Sequence, residues 1–284
     1  MIRSSALRIY LYTALLLLLS GNLEARIIGF KKIHWECERI APGLIWKSAH
    51  TFLNDTIPQN INILVVNTNK RIISLSYEPG KNVVLSKQAE KAEALAAVNA
   101  GFFNIKDGGS VTYIRTGGAI VDSDTAKKWT RNANMTGSFL ADRGNRIIID
   151  RVYSNSWYDT HPEYSEVLVT GPLLLKQKMK IELPSTPLVI NKHPRTVIGK
   201  RGCHRIVLVT IDGRTDQAAG MTLQELTELM ILLHCKDAVN LDGGGSTTMW
   251  ISGKPFNGVV NMPCDNKKFD HAGERAVSDI LIIR

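Results

Sequence analysis

The last third of the chain has the strongest hydrophobic pattern. An apolar run from Arg205 to Ile211 is followed by a stretch with helical spacing, Thr222 to His234, and by a second apolar run, Ala238 to Leu241. Thr222 and Glu225 have the spacing of a capping box, which favours a helix beginning here. Continuous apolar strands are typical of strands buried on both faces. The pattern therefore predicts two parallel strands joined through the helix by a right-handed crossover.

The chain before this unit has mostly β patterning. Short strand-like runs separated by Gly, Asn and Asp fill most of residues 61–200, and one helix is predicted from Lys87 to Ala97, with Ser86 as its cap. We therefore expect an α+β fold with a mixed β-sheet, a C-terminal strand-helix-strand unit and flanking helices. Length and composition fit a single domain over residues 26–284.

The N-terminus has the pattern of a secretory signal peptide. Arg3 and Arg8 precede the apolar run Ile9 to Leu19, and the small residue Ala25 follows it. The run is shorter than the ~20 residues that a membrane-spanning helix needs, which disfavours the alternative of an uncleaved anchor. We expect cleavage of residues 1–25 and a secreted or periplasmic protein without stable membrane insertion.

The chain is basic, with 35 Lys and Arg against 26 Asp and Glu and a net charge of +9. These cations are scattered along the sequence rather than concentrated on one patterned element. The distribution predicts a solvated basic surface that attracts anionic substrates, and we expect no nucleic-acid partner.

The four cysteines suggest disulfides in an oxidising compartment. Cys203 precedes the first apolar strand and Cys235 ends the helical stretch, so these two are expected to meet and pair. Cys37 and Cys264 would then form a second pair, and the alternative is that some thiols stay free. Zinc binding by the pairs Cys203-His204 and His234-Cys235 is disfavoured, because neighbouring strand residues point to opposite faces.

Both apolar runs end in a carboxylate followed by glycine. Asp212-Gly213 follows the first, and Asp242-Gly243-Gly244-Gly245 follows the second. Ligands bind at the carboxyl ends of parallel strands, so the two carboxylates are expected at one rim. Three successive glycines are expected where a backbone takes unusual dihedral angles or approaches a ligand closely, although a tight hairpin turn is the alternative.

Arginines and aromatic residues accompany these carboxylates. Arg195, Arg214 and Arg275 lie near Gly-rich turns and are candidates to hold phosphate through paired hydrogen bonds; the alternative is that each is a solvated surface charge. Phe102 and Phe103 either pack in the core or form a wall for a sugar ring. No Gly-x-Ser-x-Gly, His-Glu-x-x-His or Cys-x-x-Cys motif is present, which argues against serine-hydrolase, zincin and thioredoxin-type chemistry.

Together these segments resemble the phosphodiester glycosidase family. The resemblance covers residues 98–284 and departs mildly at Ala100 and Val197. The matching blocks are Asn99 to Phe103, Gly171 to Leu174, Arg195 to Gly199, Val209 to Arg214, Gly220 to Leu223, Asn240 to Ser246 and Glu274 to Asp279. The resemblance implies an exported hydrolase that cleaves the bond between a sugar C1 and phosphate in a glycosyl phosphodiester, with an N-acetylglucosamine-like sugar as one possibility.

The site that this reading predicts consists of carboxylates, arginines and a glycine-rich loop, with no cofactor. The candidate catalytic residues are Asp212, Asp242 and Glu274. The candidate substrate-binding residues are Asn99, Phe102, Arg195, Arg214, Asn240, Gly243, Gly244, Gly245, Ser246 and Arg275. An arginine would hold the leaving phosphate, and a carboxylate would activate water or stabilise an oxocarbenium-like transition state.

Two other functions stay open from the sequence. Asp212, Asp242 and Asn240 could supply oxygen ligands to calcium or magnesium in a phosphodiesterase that cuts the P–O bond. A non-catalytic protein that binds envelope glycans is the other alternative. The sequence does not decide which carboxylate acts, and the oligomeric state is open.

Overall fold

A computed structural model describes residues 33–123 and 133–284. The predicted signal peptide, residues 1–25, lies outside this part of the chain. Among the described helices, none has the length and apolar character needed to cross a bilayer.

The largest sheet has eight strands and runs through the middle of the molecule. Strands are numbered in chain order. In spatial order they are β1 (Glu36–Ala41), β2 (Leu44–Leu53), β3 (Ile57–Asn67), β15 (Arg205–Ile211), β14 (Arg195–Lys200), β16 (Asp237–Asn240), β12 (Leu173–Lys176) and β13 (Met179–Lys180).

Three smaller sheets complete the β structure. A five-stranded sheet contains β10 (Ile147–Arg151), β9 (Gly137–Asp142), β11 (Tyr164–Thr170), β7 (Tyr113–Thr116) and β8 (Ala119–Ser123). A four-stranded sheet contains β17 (Met249–Ile251), β6 (Ala96–Asn99), β19 (Asp279–Ile283) and β4 (Ile73–Tyr77). A two-stranded ribbon pairs β18 (Ala276–Val277) with β5 (Val83–Val84).

The helices in the described ranges are short. They are α1 (Leu85–Lys91), α2 (Asn155–Asp159), α3 (Pro187–Ile190) and α4 (Leu223–Leu232), with 3₁₀ turns at Gly244–Ser246 and Phe256–Gly258. In α4 the predicted capping box is present: the Thr222 hydroxyl accepts from the Glu225 amide, and the Glu225 carboxylate accepts from the Thr222 amide.

Two hydrophobic cores cover the two faces of the large sheet. On one face Leu64 and Leu208 pack with Phe139 and Leu281 from the smaller sheets. On the other face Val207, Val209 and Ile211 pack with residues of α4. Alternate residues of β15 thus enter different cores, which explains why its sequence is apolar without interruption.

The predicted mixed sheet is wrong, because every strand pairing in the described ranges is antiparallel, and the two strands predicted to lie parallel are not neighbours. Strand β14 lies between β15 and β16 and is antiparallel to both. The two strands therefore run in the same direction without pairing to each other. A continuous apolar run indicates that a strand is buried on both faces. It does not indicate which strand lies next to it in the sheet.

The first helix is also shorter than predicted. It ends at Lys91 rather than Ala97, and Glu93 takes a positive φ of 51°. The chain then enters β6 at Ala96, where it pairs with β17 and β19. The alanines of this segment favour a helix locally, but they lie in a strand because the strand pairings outweigh their helix propensity.

The predicted pairing of Cys203 with Cys235 is absent. All four cysteines, including Cys37 and Cys264, are free thiols. Cys203 is exposed in the turn between β14 and β15, whereas Cys235 is buried against Gly199. Burial raises the pKa of the Cys235 thiol to about 12, so this sulfur remains a protonated, unreactive core group.

We therefore predict four titratable thiols in protein denatured without reductant. In the native protein the exposed Cys203 and Cys37 should react with a thiol reagent within minutes, while Cys235 and Cys264 stay protected. The measurement is a thiol count before and after denaturation. A count of two, with a Cys203–Cys235 peptide in a non-reducing digest, would contradict the free thiols.

Candidate active site

The candidate site lies where β15 and β16 end on the same side of the large sheet. Asp212 follows β15 directly, and Asp242 lies two residues beyond the end of β16. The beginning of β14 separates them, since Arg195 pairs with Ile211 on one side and Val197 pairs with Asn240 on the other. Both carboxylates therefore follow strands that end on the same side of the sheet, called the rim below, with the start of β14 between them.

Asp212 is a buried carboxylate held by three donors. Its Oδ2 accepts from Asn60 Nδ2 at 2.6 Å and from the Met262 amide at 2.9 Å, and its Oδ1 accepts from Asn261 Nδ2 at 2.7 Å. The residue is 1% exposed, and burial raises the pKa of its carboxyl to about 7 against the lowering effect of these bonds. Asp212 thus joins β3 and the segment at 261–262 to the end of β15.

Asp242 is more accessible to a ligand. It is half-buried, its amide donates to the Ala100 carbonyl at 2.9 Å, and its carbonyl accepts from Asn99 Nδ2 at 2.7 Å. Burial raises the pKa of the Asp242 carboxyl to about 6, while Ser246, the Gly243 amide and Arg275 act in the opposite direction. A pKa near 6 leaves this group ionised at neutral pH and able to accept a proton.

Asp279 is a site residue that the sequence analysis missed. It is 1% exposed at the start of β19, accepts from the Gly101 amide at 2.5 Å and from Ser278 Oγ at 2.6 Å, and its charge raises the pKa of Asp242. The available signal was a carboxylate opening an otherwise apolar strand, within a block that matches the family.

The glycines after Asp242 make room for two arginines. A Cβ at Gly245 would lie 2.4 Å from Arg275 Nη2, and one at Gly244 would lie 3.0 Å from Arg214 Nη2. Gly244 also has a positive φ of 61°. The guanidinium groups of Arg214 and Arg275 therefore lie directly against the loop that carries Asp242, which the hairpin-turn alternative does not require.

The two arginines are positioned by polar neighbours. Arg275 donates from Nε at 3.0 Å and from Nη2 at 2.5 Å to Asp265 Oδ1. Arg214 is exposed, has a positive φ of 65°, and approaches His193 Nδ1 at 3.4 Å. His193 was also missed from the sequence. Burial lowers its pKa, with Arg195 and Arg214 adding to the effect, so it faces this rim as a neutral imidazole at pH 7.

Cys264 lies between the two halves of the rim. It is 7% exposed, and its sulfur approaches the Gly244 carbonyl at 3.9 Å. Burial raises the pKa of its thiol; Arg214 and Arg275 act in the opposite direction, and the Asp212 charge adds to the increase. The same thiol is thus within electrostatic reach of both arginines and of Asp212.

Two of the predicted residues direct their charged groups away from this space. Arg195 is 1% exposed and donates to the carbonyls of Met221, Leu188 and Asn191 at 2.7–2.8 Å. The Glu274 carboxylate accepts from the Ser86 amide at 2.9 Å and from its hydroxyl at 2.7 Å, at the start of α1. In the structure Arg195 anchors the start of β14 and Glu274 holds α1.

The remaining predicted residues form the support beneath the loop. Asn99 Oδ1 accepts from Thr196 Oγ1 at 2.6 Å, and Asn240 Nδ2 donates to the Gly171 and Leu241 carbonyls at 2.8 and 2.7 Å. A Cβ at Gly243 would lie 2.7 Å from the Pro194 carbonyl oxygen. Ser246 is 1% exposed at the end of the 3₁₀ turn Gly244–Ser246, and Phe102 is half-buried next to Gly101.

A metal site is not apparent in the described residues, where no group of three or more His, Cys, Asp or Glu side chains is arranged to hold an ion. Both carboxylate oxygens of Asp212 accept hydrogen bonds, an arrangement that stabilises the ionised carboxylate itself.

Comparison with known proteins places this chain in a family. A model of the phosphodiester glycosidase family matches residues 92–284, more than half of the chain. The chain belongs to the phosphodiester glycosidase family. The match contains Asp212, Asp242, both loop arginines and Asp279, whereas Asn60, which donates to Asp212, lies before it.

Curated relatives include proteins from bacteria and animals. The N-acetylglucosamine-1-phosphodiester alpha-N-acetylglucosaminidase of Bos taurus is 23% identical over 187 residues, covering 61% of this chain and 34% of the relative. The uncharacterised SPbeta prophage-derived protein YomE of Bacillus subtilis is 36% identical over 92 residues, covering 32% of this chain and 13% of the relative. The matches thus span about a third or less of these relatives' own length.

Solved structures share the fold. The catalytic domain of the zebrafish N-acetylglucosamine-1-phosphodiester alpha-N-acetylglucosaminidase, auto-inhibited by its pro-peptide, aligns with a TM-score of 0.68 at 20% identity, covering 89% of this chain and 88% of that one. A hypothetical protein from Synechocystis aligns with a TM-score of 0.64 at 12% identity, covering 88% of this chain and 63% of that one.

The packing of arginine on glycine predicts that Gly245→Ala destabilises the fold. The added methyl group would displace the Arg275 guanidinium and disturb its ion pair with Asp265, at a cost of about 1–3 kcal/mol. The measurement is chemical denaturation. Gly202→Ala is the matched control, because no atom lies within 4 Å of a Cβ there. Equal stability of the two variants would contradict the close contact.

Proposed function

We propose that this protein is a glycosidase that hydrolyses the bond between a sugar C1 and phosphate in a glycosyl phosphodiester. The observation that carries the proposal is the placement of Asp242, half-buried on the same glycine loop that receives Arg214 and Arg275. A carboxylate beside two guanidinium groups matches a reaction in which a sugar carbon gains positive charge and an anionic phosphate leaves. The family membership and the fold shared with the zebrafish enzyme support the substrate class.

In the proposed reaction Arg214 and Arg275 bind the phosphate and Asp242 acts at the sugar. The C1–O bond breaks with its electron pair on the phosphate oxygen, which the guanidinium groups stabilise. Asp242, ionised at neutral pH, removes a proton from the attacking water, whose oxygen becomes bonded to C1. The products are a free sugar and a phosphomonoester. Phosphate is a good leaving group, so strong protonation of its oxygen is not required.

The other predicted residues have positioning roles in this proposal. Asp212 holds the segment at 261–262 through Asn261 and Met262, and that segment continues to Cys264 and to Asp265, the partner of Arg275. Arg195 anchors the start of β14 to the Met221 carbonyl, and Asn99 holds the Asp242 carbonyl. Glu274 supports α1 next to Arg275 rather than touching substrate.

The proposed substrate is a carbohydrate phosphodiester met outside the cytoplasm, in keeping with the signal peptide expected from the N-terminal residues. The basic net charge of +9 favours encounter with anionic substrates.

Asp242→Asn should lower kcat for a glycosyl phosphodiester by at least about 100-fold, the low end of what general acid–base groups contribute. In ¹⁸O-labelled water the wild-type protein should place the label on the sugar. Asp216→Asn is the control, because Asp216 is an exposed carboxylate on the turn after Arg214. Mass spectrometry of both products gives the position of the label.

Two outcomes would overturn this assignment. Label on the phosphate together with loss of activity in chelator would identify a metal-dependent phosphodiesterase. Glycan binding without turnover, unaffected by Asp242→Asn, would identify a non-catalytic glycan-binding protein.

The pH dependence should follow the ionisation of Asp242. Because its pKa is raised to about 6 and the ionised form is active, kcat/KM should rise with pH through about 6. Asp279→Asn removes the charge that raises this pKa, so its profile should move to lower pH. Arg275→Gln removes a charge that lowers it, so the residual activity should move to higher pH. Profiles that move the same way in both variants would contradict the role of Asp242.

A further inference from the structure

A basic cavity lies at the end of the large sheet opposite to the candidate active site. It has a volume of about 380 Å³, within the range of ligand pockets. Strand β15 begins beside this cavity at Arg205 and ends at Ile211, next to Asp212. Seven residues of strand span roughly 20 Å, so the cavity is separate from the rim. Its lining includes four basic side chains, those of Arg201, His204, Arg205 and His234.

The two arginines of the cavity face each other across the end of a hairpin. The last residues paired between β14 and β15 are Lys200 and Ile206. Beyond them, the Arg201 amide donates to the Arg205 carbonyl at 2.9 Å. Directly opposite residues have Cβ atoms about 5 Å apart, and like charges in such a pair are destabilising. Within the described ranges no ion pair includes either arginine, and no Asp or Glu lines the cavity, so this positive charge is uncompensated.

His234 occupies a position at the end of α4 that usually holds glycine. Its amide donates to the Ile231 carbonyl at 2.8 Å, and the amide of the next residue, Cys235, donates to the Met230 carbonyl at 3.0 Å. These are the two hydrogen bonds of a Schellman motif. His234 takes the left-handed conformation of the motif, with a φ of 59°, which costs a residue with a Cβ more than it costs glycine. Strain of this kind is concentrated at ligand sites, and here it places an imidazole in the cavity wall.

Backbone hydrogen bonds join the three segments that form the cavity. The Thr68 amide donates to the His204 carbonyl at 3.0 Å, which fixes the turn between β14 and β15 to the end of β3. The Lys236 amide donates to the Lys200 carbonyl at 2.7 Å, which fixes the residues after α4 to β14. The basic side chains therefore project from a preorganised frame, which lowers the cost of ordering them around an anion.

We propose that this cavity is a second anion-binding site, which takes the phosphate of a phosphomonoester. A phosphomonoester has a charge of about −1.5 to −2 at pH 7, whereas a phosphodiester has a charge of about −1. Two guanidinium groups offer paired donors to phosphate oxygens, and the imidazoles of His204 and His234 offer further N–H donors. The site goes beyond the proposed hydrolysis and does not depend on it, although the product of that reaction belongs to the same class of ligand.

An NMR titration separates the cavity from the active site, because each has its own histidine. Inorganic phosphate and hexose 6-phosphate should both move the ring signals of His204 and His234. The double variant Arg201→Gln/Arg205→Gln should weaken this binding at least about tenfold, since it removes charge-assisted hydrogen bonds. Any response of His193, which lies 3.4 Å from Arg214 at the rim, should be unchanged.

The ligand series identifies the source of the phosphate. Hexose 6-phosphate should bind at least as tightly as inorganic phosphate, and a methyl hexosyl phosphodiester should bind several-fold more weakly because it has less charge. Weaker binding of hexose 6-phosphate than of inorganic phosphate would overturn the assignment to a monoester. A diester that binds as tightly as the monoester would also overturn it.

Two further variants serve as controls. Arg151→Gln removes an exposed arginine outside the cavity and should leave the affinity at the wild-type value. Arg205→Lys keeps the charge and should retain more affinity than Arg205→Gln. The double variant removes the repulsion between two cations, so it should unfold at or above the wild-type temperature. The proposal fails if phosphate leaves the His204 and His234 signals unmoved, or if the double variant binds phosphate as tightly as the wild type.

Discussion

Burial of the central strands of the large sheet on both faces is the constraint on which the rest of the structure depends. Strands β14, β15 and β16 have hydrophobic neighbours above and below, so polar side chains in their middle would lose hydration without gaining partners. The charged residues of these strands are therefore at or just beyond their ends. Asp212 and Asp242 follow β15 and β16, and Arg195 opens β14.

The same burial determines the electrostatics of the site. Desolvation raises the pKa values of Asp212 and Asp242. Different neighbours stabilise the ionised form of each carboxylate and so act against this increase. Asp212 has three hydrogen-bond donors that connect separate segments of the chain. Asp242 has Arg275 close by and remains half-buried. Asp212 thus connects the segments that form the rim, and the more accessible Asp242 is suited to contact substrate.

Close packing between glycine and arginine gives the rim its cationic character. Gly244 and Gly245 leave the space in which Arg214 and Arg275 lie, so the positive charge is brought to the Asp242 loop without an intervening side chain. The segment from Asn261 to Asp265 joins this cationic loop to Asp212. A substitution in one of these parts is therefore expected to alter the geometry of the others.

The sequence alone determined the elements of the C-terminal part and the carboxylates that follow its strands. The apolar run of β15, the capping box of α4 and the carboxylate-glycine ends all follow from local patterns, since burial and caps leave a signature in neighbouring residues. The tertiary structure decided the rest. It inserted β14 between β15 and β16, left Cys203 and Cys235 unpaired, turned Arg195 towards backbone carbonyls and brought Asp279 and His193 to the rim. Each of these depends on which distant segments become neighbours in space, and hydrophobic periodicity reports how deeply a residue is buried without identifying the residue it meets.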